Sequence, residues 1–156
     1  MNNTKNHIFS KPFLRSLFII QNEWHQHGVL VHSLRVFWNV LKSGEFKFLA
    51  AALLHDIGKP FVAYQKPKDI EYQQYSFTDH EERSYQIIKN WPFISKYTKE
   101  LVRYHYLIRD ISKHKTKEPL RSQAKEKIWM SLSHDMQNDL KRFMIYDDLA
   151  KGKKRR

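Results

Sequence analysis

Read for the spacing of its apolar positions, the chain is helical almost from end to end. In "SKPFLRSLFIIQNEW", Ser10 offers a cap, Pro12 sits in the first turn, and Phe13, Leu14, Leu17 and Phe18 share one stripe. The next stretch, "GVLVHSLRVFWNVLKSG", is apolar around most of its circumference and stops at Gly44, a pattern that predicts a central helix. A third helix is predicted over "EFKFLAAALLHD", with Phe46, Leu49, Ala50, Leu53 and Leu54 inward. Pro60, Pro67 and "KPKD" then interrupt the period, so 60–77 is expected to be a loop or a weak hairpin.

A capping box from Thr78 to Glu81 predicts the start of the next helix, which runs on through Ile87 and Ile88. After Pro92, "SKYTKELVRYHYLI" reads as one more helix, and "SKHKTKEPLRSQAKEK" as a charged surface loop. "EKIWMSLS" and "NDLKRFMIYDDLAKG" complete the set. The expectation is an all-α fold, a single bundle of six or seven helices over 1–150, with a basic C-terminal tail over 151–156. With only 4 Gly and 5 Pro in 156 residues, a turn-rich β architecture is disfavoured.

Composition narrows the chemistry. There is no Cys, so thiolate metal sites and disulfides are excluded, and any metal falls to carboxylates and the 9 His. Lys and Arg number 28 against 16 Asp and Glu, a formal charge of +12 that favours polyanionic partners. No apolar run reaches the roughly 18 residues of a membrane span. "SLFIIQ" lacks the features of a secretory signal, so no membrane association and a cytoplasmic location are expected.

Two His-Asp pairs occur, and their contexts differ. His134-Asp135 lies in a polar turn and reads as a solvated helix start. His55-Asp56 ends a strongly apolar segment, where a buried carboxylate needs a partner or a metal. His32 lies inside the apolar second helix. On the last helix the 100° phase puts Asp147 with Leu140, Phe143 and Met144, and leaves Asp148 off the stripe. Four polar groups thus sit on three core-facing helices.

His32 in "HSLRV", His55-Asp56 in "AALLHDIGKP" and Asp147 in "YDDLA" resemble, in order and spacing, the HD-domain metal-dependent phosphohydrolase superfamily. The likeness covers about residues 25 to 152. "FTDHEERSYQII" and "LVRYHYLI" bring it nearest to the HD domains of bacterial tRNA nucleotidyltransferases, although no nucleotidyltransferase signature precedes the bundle. The resemblance implies that His32, His55, Asp56 and Asp147 hold a divalent metal, with His80 and His105 holding a second ion in binuclear members. It also implies that Asp56 acts in catalysis and that Lys59 stabilises phosphoryl charge; the alternative for Lys59 is an exposed cation at a helix C-terminus. A Gly-Tyr-Pro segment found in cyclic-dinucleotide phosphodiesterases is replaced here by "HYLIRDISK", which argues against that substrate.

Imidazole and carboxylate ligands suit Mn, Ni, Co, Fe or Zn, with Mg possible, as one or two ions. Such an ion lowers the pKa of its bound water towards about 7, which suits phosphate-ester hydrolysis at neutral pH. Arg103 and Arg109 are candidate phosphate ligands by bidentate contact, unless they only solvate a helix face. His27, in "EWHQHG", is a weaker substrate-contact candidate in what reads as a polar turn. Trp24, Trp38, Trp91 and Trp129 are expected in the core. The leading expectation is a hydrolase for a nucleotide or RNA phosphate ester, of phosphomonoesterase or 2′,3′-cyclic phosphodiesterase type. The alternatives are a non-catalytic RNA- or DNA-binding HD module with a structural metal, and a di-iron oxygenase. A further expectation is that the basic tail contacts nucleic acid.

Overall fold

Chain reversal in front of a 15-residue helix sets up the fold. A computed structural model describes residues 20–22, 25–71 and 75–151. Strands β1 (Ile20–Asn22) and β2 (His25–Gly28) pair antiparallel, with Ile20 opposite Gly28 and Asn22 opposite His25. β2 leads directly into α1 (Val29–Ser43). The helix predicted over 10–24 therefore does not extend across Ile20–Asn22; its upstream part lies outside the described residues. His27, expected in a turn, belongs instead to β2, because backbone pairing with β1 extends this segment.

Gly44, at φ +75°, caps α1 by giving its N–H to the Leu41 carbonyl. A 3₁₀ turn (Phe46–Phe48) follows, then α2 (Leu49–Leu54). This tight turn changes the phase expected of a continuous helix. Phe48, Ala51 and Ala52 face the core, while Phe46 and Leu53 are exposed. Two one-turn helices follow, α3 (Lys59–Val62) and α4 (Pro67–Glu71). Tyr64 and Ser76 exchange backbone hydrogen bonds of 3.1 and 2.8 Å, the small hairpin-like closure expected there.

The remaining helices are α5 (His80–Ile88), α6 (Lys96–Tyr104), α7 (Leu107–His114), α8 (Pro119–Ser131) and α9 (His134–Ala150). Among the described residues, seven helices have six or more residues, and the fold is all-α beside the two short strands. Its core joins Val36 and Val40 of α1, Phe48, Ala51 and Ala52, Ile88, Leu101 and Val102, and Leu140 and Phe143 of α9. Phe48 and Phe143 meet edge to face with centroids 6.0 Å apart, a geometry that adds to the burial of two large rings.

Three local expectations are corrected. The capping box does not form: Asp79, at φ +56°, precedes the helix, Thr78 Oγ1 lies 2.8 Å from the Tyr64 hydroxyl, and Glu81 turns inward. Left-handed backbone at a non-glycine residue is best tolerated by Asn and Asp. The predicted loop over 112–127 contains most of α8, whose first turn carries Pro119. An apolar stripe was absent because polar contacts dock much of this helix. Lys125 Nζ lies 3.1 Å from Asp110, and Arg121 Nη2 lies 3.0 Å from Asp79 and 3.5 Å from Asp110. Finally, Trp38 is 54% exposed rather than in the core, while Trp91 and Trp129 are partly buried against it. Trp24 lies outside the described residues.

No described helix is long and apolar enough to cross a membrane. Of the basic tail, Lys151 is described at the end of α9, with Nζ 2.8 Å from Asp148 Oδ1.

Candidate metal centre

Asp56 sits at the junction where α2 has ended and α3 has not begun, and it is fully buried. The close approach of α5 fixes that junction. The Gly58 N–H donates to Ser84 Oγ at 2.9 Å, and Ser84 Oγ donates to the His55 carbonyl at 2.7 Å. A Cβ on Gly58 would lie 2.4 Å from the Ser84 nitrogen and 2.6 Å from the His80 carbonyl oxygen. Glycine is thus what lets the backbone that carries His80 press against the turn that carries His55 and Asp56.

The two Asp56 oxygens face different histidines. Oδ2 lies 3.2 Å from His55 Nε2 and 3.6 Å from His32 Nε2. Oδ1 lies 3.4 Å from His80 Nε2 and 3.8 Å from His105 Nε2. Asp147 joins the Oδ2 side, with its Oδ1 2.8 Å from His32 Nε2 and 3.7 Å from His55 Nε2. The structure therefore brings together His32, His55, Asp56, His80, His105 and Asp147, all buried.

Three of the four histidines are oriented by one device. His55 Nδ1 lies 3.0 Å from the Ala52 carbonyl, His80 Nδ1 2.9 Å from Phe77, and His105 Nδ1 2.7 Å from Val102. Each Nδ1–H donates to the carbonyl three residues earlier, which directs the Nε2 lone pair inward. His55 Nε2 and His32 Nε2 are only 3.4 Å apart.

Electrostatics keep most of these groups in the state a cation requires. Burial pushes His80 down to about 4, helped by Lys59 and opposed by Asp56. Burial and the neighbouring His55 and His80 hold His105 well below 6.5. Burial also lowers His32, against Asp147 and Asp56. Burial disfavours the charged forms of both aspartates, but His55 and Lys59 hold Asp56 far below the usual carboxylate range. His32 does the same for Asp147. His55 moves the other way: Asp56 and Asp147 outweigh its burial and raise it.

The donor set fits a divalent ion. Asp56 Oδ1 is buried with no hydrogen-bond partner among the described residues, and the Nε2 atoms of His80 and His105 face it. Lys59 pairs with Oδ2, but a carboxylate oxygen left without a partner in so dry a place is costly, and a cation beside it removes the cost. Imidazole nitrogen with carboxylate oxygen suits first-row divalent metals. Within 4.8 Å of one another lie ligand atoms of His32, His55 and Asp147, and likewise of His55, Asp56 and His105.

Lys59, read as a possible exposed cation, is buried, with Nζ 2.7 Å from Asp56 Oδ2. It begins α3 instead of ending a helix, because the turn at Ile57–Gly58 folds it back over the pair. Arg109 does reach the centre, but as a partner of Asp147: Nη2 lies 2.9 Å from Oδ2. Arg103 is not brought there. Its Nε donates to Glu82 at 2.8 Å, and its guanidinium stacks over Tyr85. The side chain of His27 lies outside the described residues. His134 and Asp135 are exposed at the start of α9. Sequence reading missed Ser84, although it stands four residues after His80 and so shares its helix face.

Residues 29–132 match the family model described as HD domain. Among curated proteins and among solved structures nothing matches the chain. The matched span runs from α1 through α8, so the place of Asp147 rests on the geometry of α9 alone.

Proposed function

The chain belongs to the HD-domain family, whose members are generally metal-dependent hydrolases that bind divalent ions, and from that premise we propose that it hydrolyses a nucleotide or RNA phosphate ester. The phosphomonoesterase and 2′,3′-cyclic phosphodiesterase types are the reactions proposed. The narrower likeness to HD domains of tRNA nucleotidyltransferases belongs to this proposal too. The observation that carries it is the division of Asp56, one oxygen toward His32 and His55 and the other toward His80 and His105. In this reading His32, His55, Asp56 and Asp147 hold one ion, and Asp56, His80 and His105 hold a second.

When bound, such ions supply Lewis-acid polarisation of a phosphoryl oxygen and acidify water. The chain's own residues do the rest. Asp56 supplies the shared carboxylate. Lys59, held at that carboxylate, offers a fixed cation to phosphoryl oxygens as charge develops. Arg109 orients Asp147 through the oxygen that His32 does not use. The formal charge of +12 favours a phosphate-bearing substrate over a small neutral one, which disfavours di-iron oxygenation.

The test is metal analysis of the purified protein, followed by phosphate mono- and diesters with Mn, Ni, Co and Mg. Chelation, His55→Ala and Asp56→Ala should each abolish hydrolysis while circular dichroism stays helical. Unchanged turnover in either variant removes the enzyme reading. The same positive charge equally favours a non-catalytic RNA- or DNA-binding module with a structural metal. Metal and nucleic acid bound without turnover of any ester would support that second reading.

A further inference from the structure

Helix α1 has two apolar faces, of which one is buried and the other exposed. Val29, His32, Ser33, Val36 and Val40 are buried on the face toward α2 and α9. On the other side Val31, Leu34, Trp38 and Leu41 are exposed by 40, 50, 54 and 37%. At 100° per residue these four fall within about 80° of one another, a continuous apolar stripe nearly three turns long. Val31, Leu34 and Trp38, with Arg35, Asn39 and Lys42, line a cavity of about 410 Å³. Arg35 and Asn39 mark its α9 side, donating to the Ala150 and Tyr146 carbonyls at 3.1 and 3.2 Å. So large an exposed stripe is a docking surface more often than chance decoration.

We propose that this groove is the docking site of the chain's own N-terminal segment, residues 10–19, lying antiparallel to α1. The chain's position at the hairpin is the first reason. Ile20 is paired with Gly28, and Gly28 is the residue before α1. The first residue of β1 is therefore placed beside the start of α1, so the segment joined to Ile20 begins within reach of the groove. The second reason is length. Ten residues in helical form span about 15 Å, and Val31 to Leu41 spans the same. The third is pattern. Phe13, Leu14, Leu17 and Phe18 fall within about 140° on a helical wheel and present an apolar stripe to match. The flanking charges on both sides are cations, Lys11 and Arg15 against Arg35 and Lys42, so apolar contact carries the association. This inference does not depend on the metal centre.

Absence of cysteine from the natural sequence makes the test clean. Counting outward from the Ile20–Gly28 pair aligns Leu17 with Val31 and Leu14 with Leu34. The paired variants Leu17→Cys with Val31→Cys, and Leu14→Cys with Leu34→Cys, should each form an intramolecular disulfide on mild oxidation, which requires Cα atoms within about 7 Å. The expected readout is a faster-migrating monomer band on a non-reducing gel that disappears on reduction. The out-of-register pair Leu17→Cys with Leu41→Cys should remain reduced under the same conditions. Circular dichroism of each reduced variant establishes that it is folded. Disulfide-linked dimers from the in-register pairs would assign the groove to a second copy and overturn the proposal. So would failure of both in-register pairs to close in folded protein, or closure of all three pairs alike.

Discussion

Arg109 of α7 and Asp147 of α9 are held together: Nη2 lies 2.9 Å from Oδ2, while Oδ1 of the same carboxylate lies 2.8 Å from His32 Nε2. The guanidinium also reaches Asp148 Oδ1 at 3.0 Å and the Met144 carbonyl at 3.4 Å. Asp148, half exposed, thus meets the centre indirectly, through Arg109 and through Lys151, whose Nζ lies 2.8 Å from Asp148 and 3.4 Å from Asp147. Asp147→Asn should cost metal and activity far more than Asp148→Asn. Arg109→Ala should weaken metal binding by about 10–100-fold, the usual effect of removing a residue that orients a ligand. Titration of each variant with Mn ranks them, and Asp148→Asn as the most damaging would contradict the geometry.

Gly58→Ala tests how tightly α5 must approach. The added methyl meets three backbone atoms within 3 Å, at Ser84, His80 and Arg83, and none of them can swing aside. Overpacking of this kind costs about 1–3 kcal/mol. For a domain of this size that lowers Tm by about 2–4 °C per kcal/mol. Because the strain falls on the start of α5, metal binding by His80 should weaken with it. A variant with unaltered Tm and metal affinity would show that α5 is free to shift.

Acid should destabilise the metal-free protein. His32, His80 and His105 have pKa values lowered by burial, to about 4 for His80. Between their unfolded value near 6.5 and these folded values, the unfolded chain takes up protons that the fold refuses. Stability then declines as pH falls, at about 1.4 kcal/mol per pH unit for each imidazole kept neutral. His55, raised above 6.5, acts in the opposite sense at higher pH, where its contribution fades as pH rises through its folded value. Asp56 and Asp147 add to the decline only below about 3.8, since their folded values are lowered. Thermal unfolding in chelator at pH 7, 6 and 5 should show Tm falling at each step. A Tm that rises toward pH 5 would mean these imidazoles are not held neutral.

The C-terminal "KGKKRR" is a separate question, because 152–156 lie outside the described residues. If the tail binds phosphates, deleting Lys153 to Arg156 should flatten the salt dependence of RNA or DNA binding by about one unit of slope for each phosphate no longer neutralised. Hydrolysis of a mononucleotide should barely change. An identical slope after truncation would leave the tail without a role in binding.

The parts of this fold that were legible in the sequence are those where burial has a period. The phase that set Asp147 with Leu140 and Phe143 is the phase in the structure, and the apolar run before His55 does bury the pair. The end of α8 lies in the helix expected over "EKIWMSLS", but its first turns were illegible because much of their docking is ionic: Lys125 and Arg121 on Asp110 leave no apolar repeat. Phe46 and Leu53 were misassigned because a 3₁₀ turn resets the phase within three residues. At the centre, residue types and order were readable. The Nδ1 bonds to carbonyls three residues back, the burial of Lys59 and the redirection of Arg109 arise from tertiary packing that spacing does not encode.

The most direct measurement is the number of metal ions per chain. Under saturating Mn, wild type should bind about two, shared across Asp56. The His80→Ala, His105→Ala double variant should bind about one, still held by His32, His55, Asp56 and Asp147, and folding is checked by circular dichroism. One ion in wild type, with the double variant fully active, would contradict a centre divided between the two oxygens of Asp56 and return both histidines to structural roles.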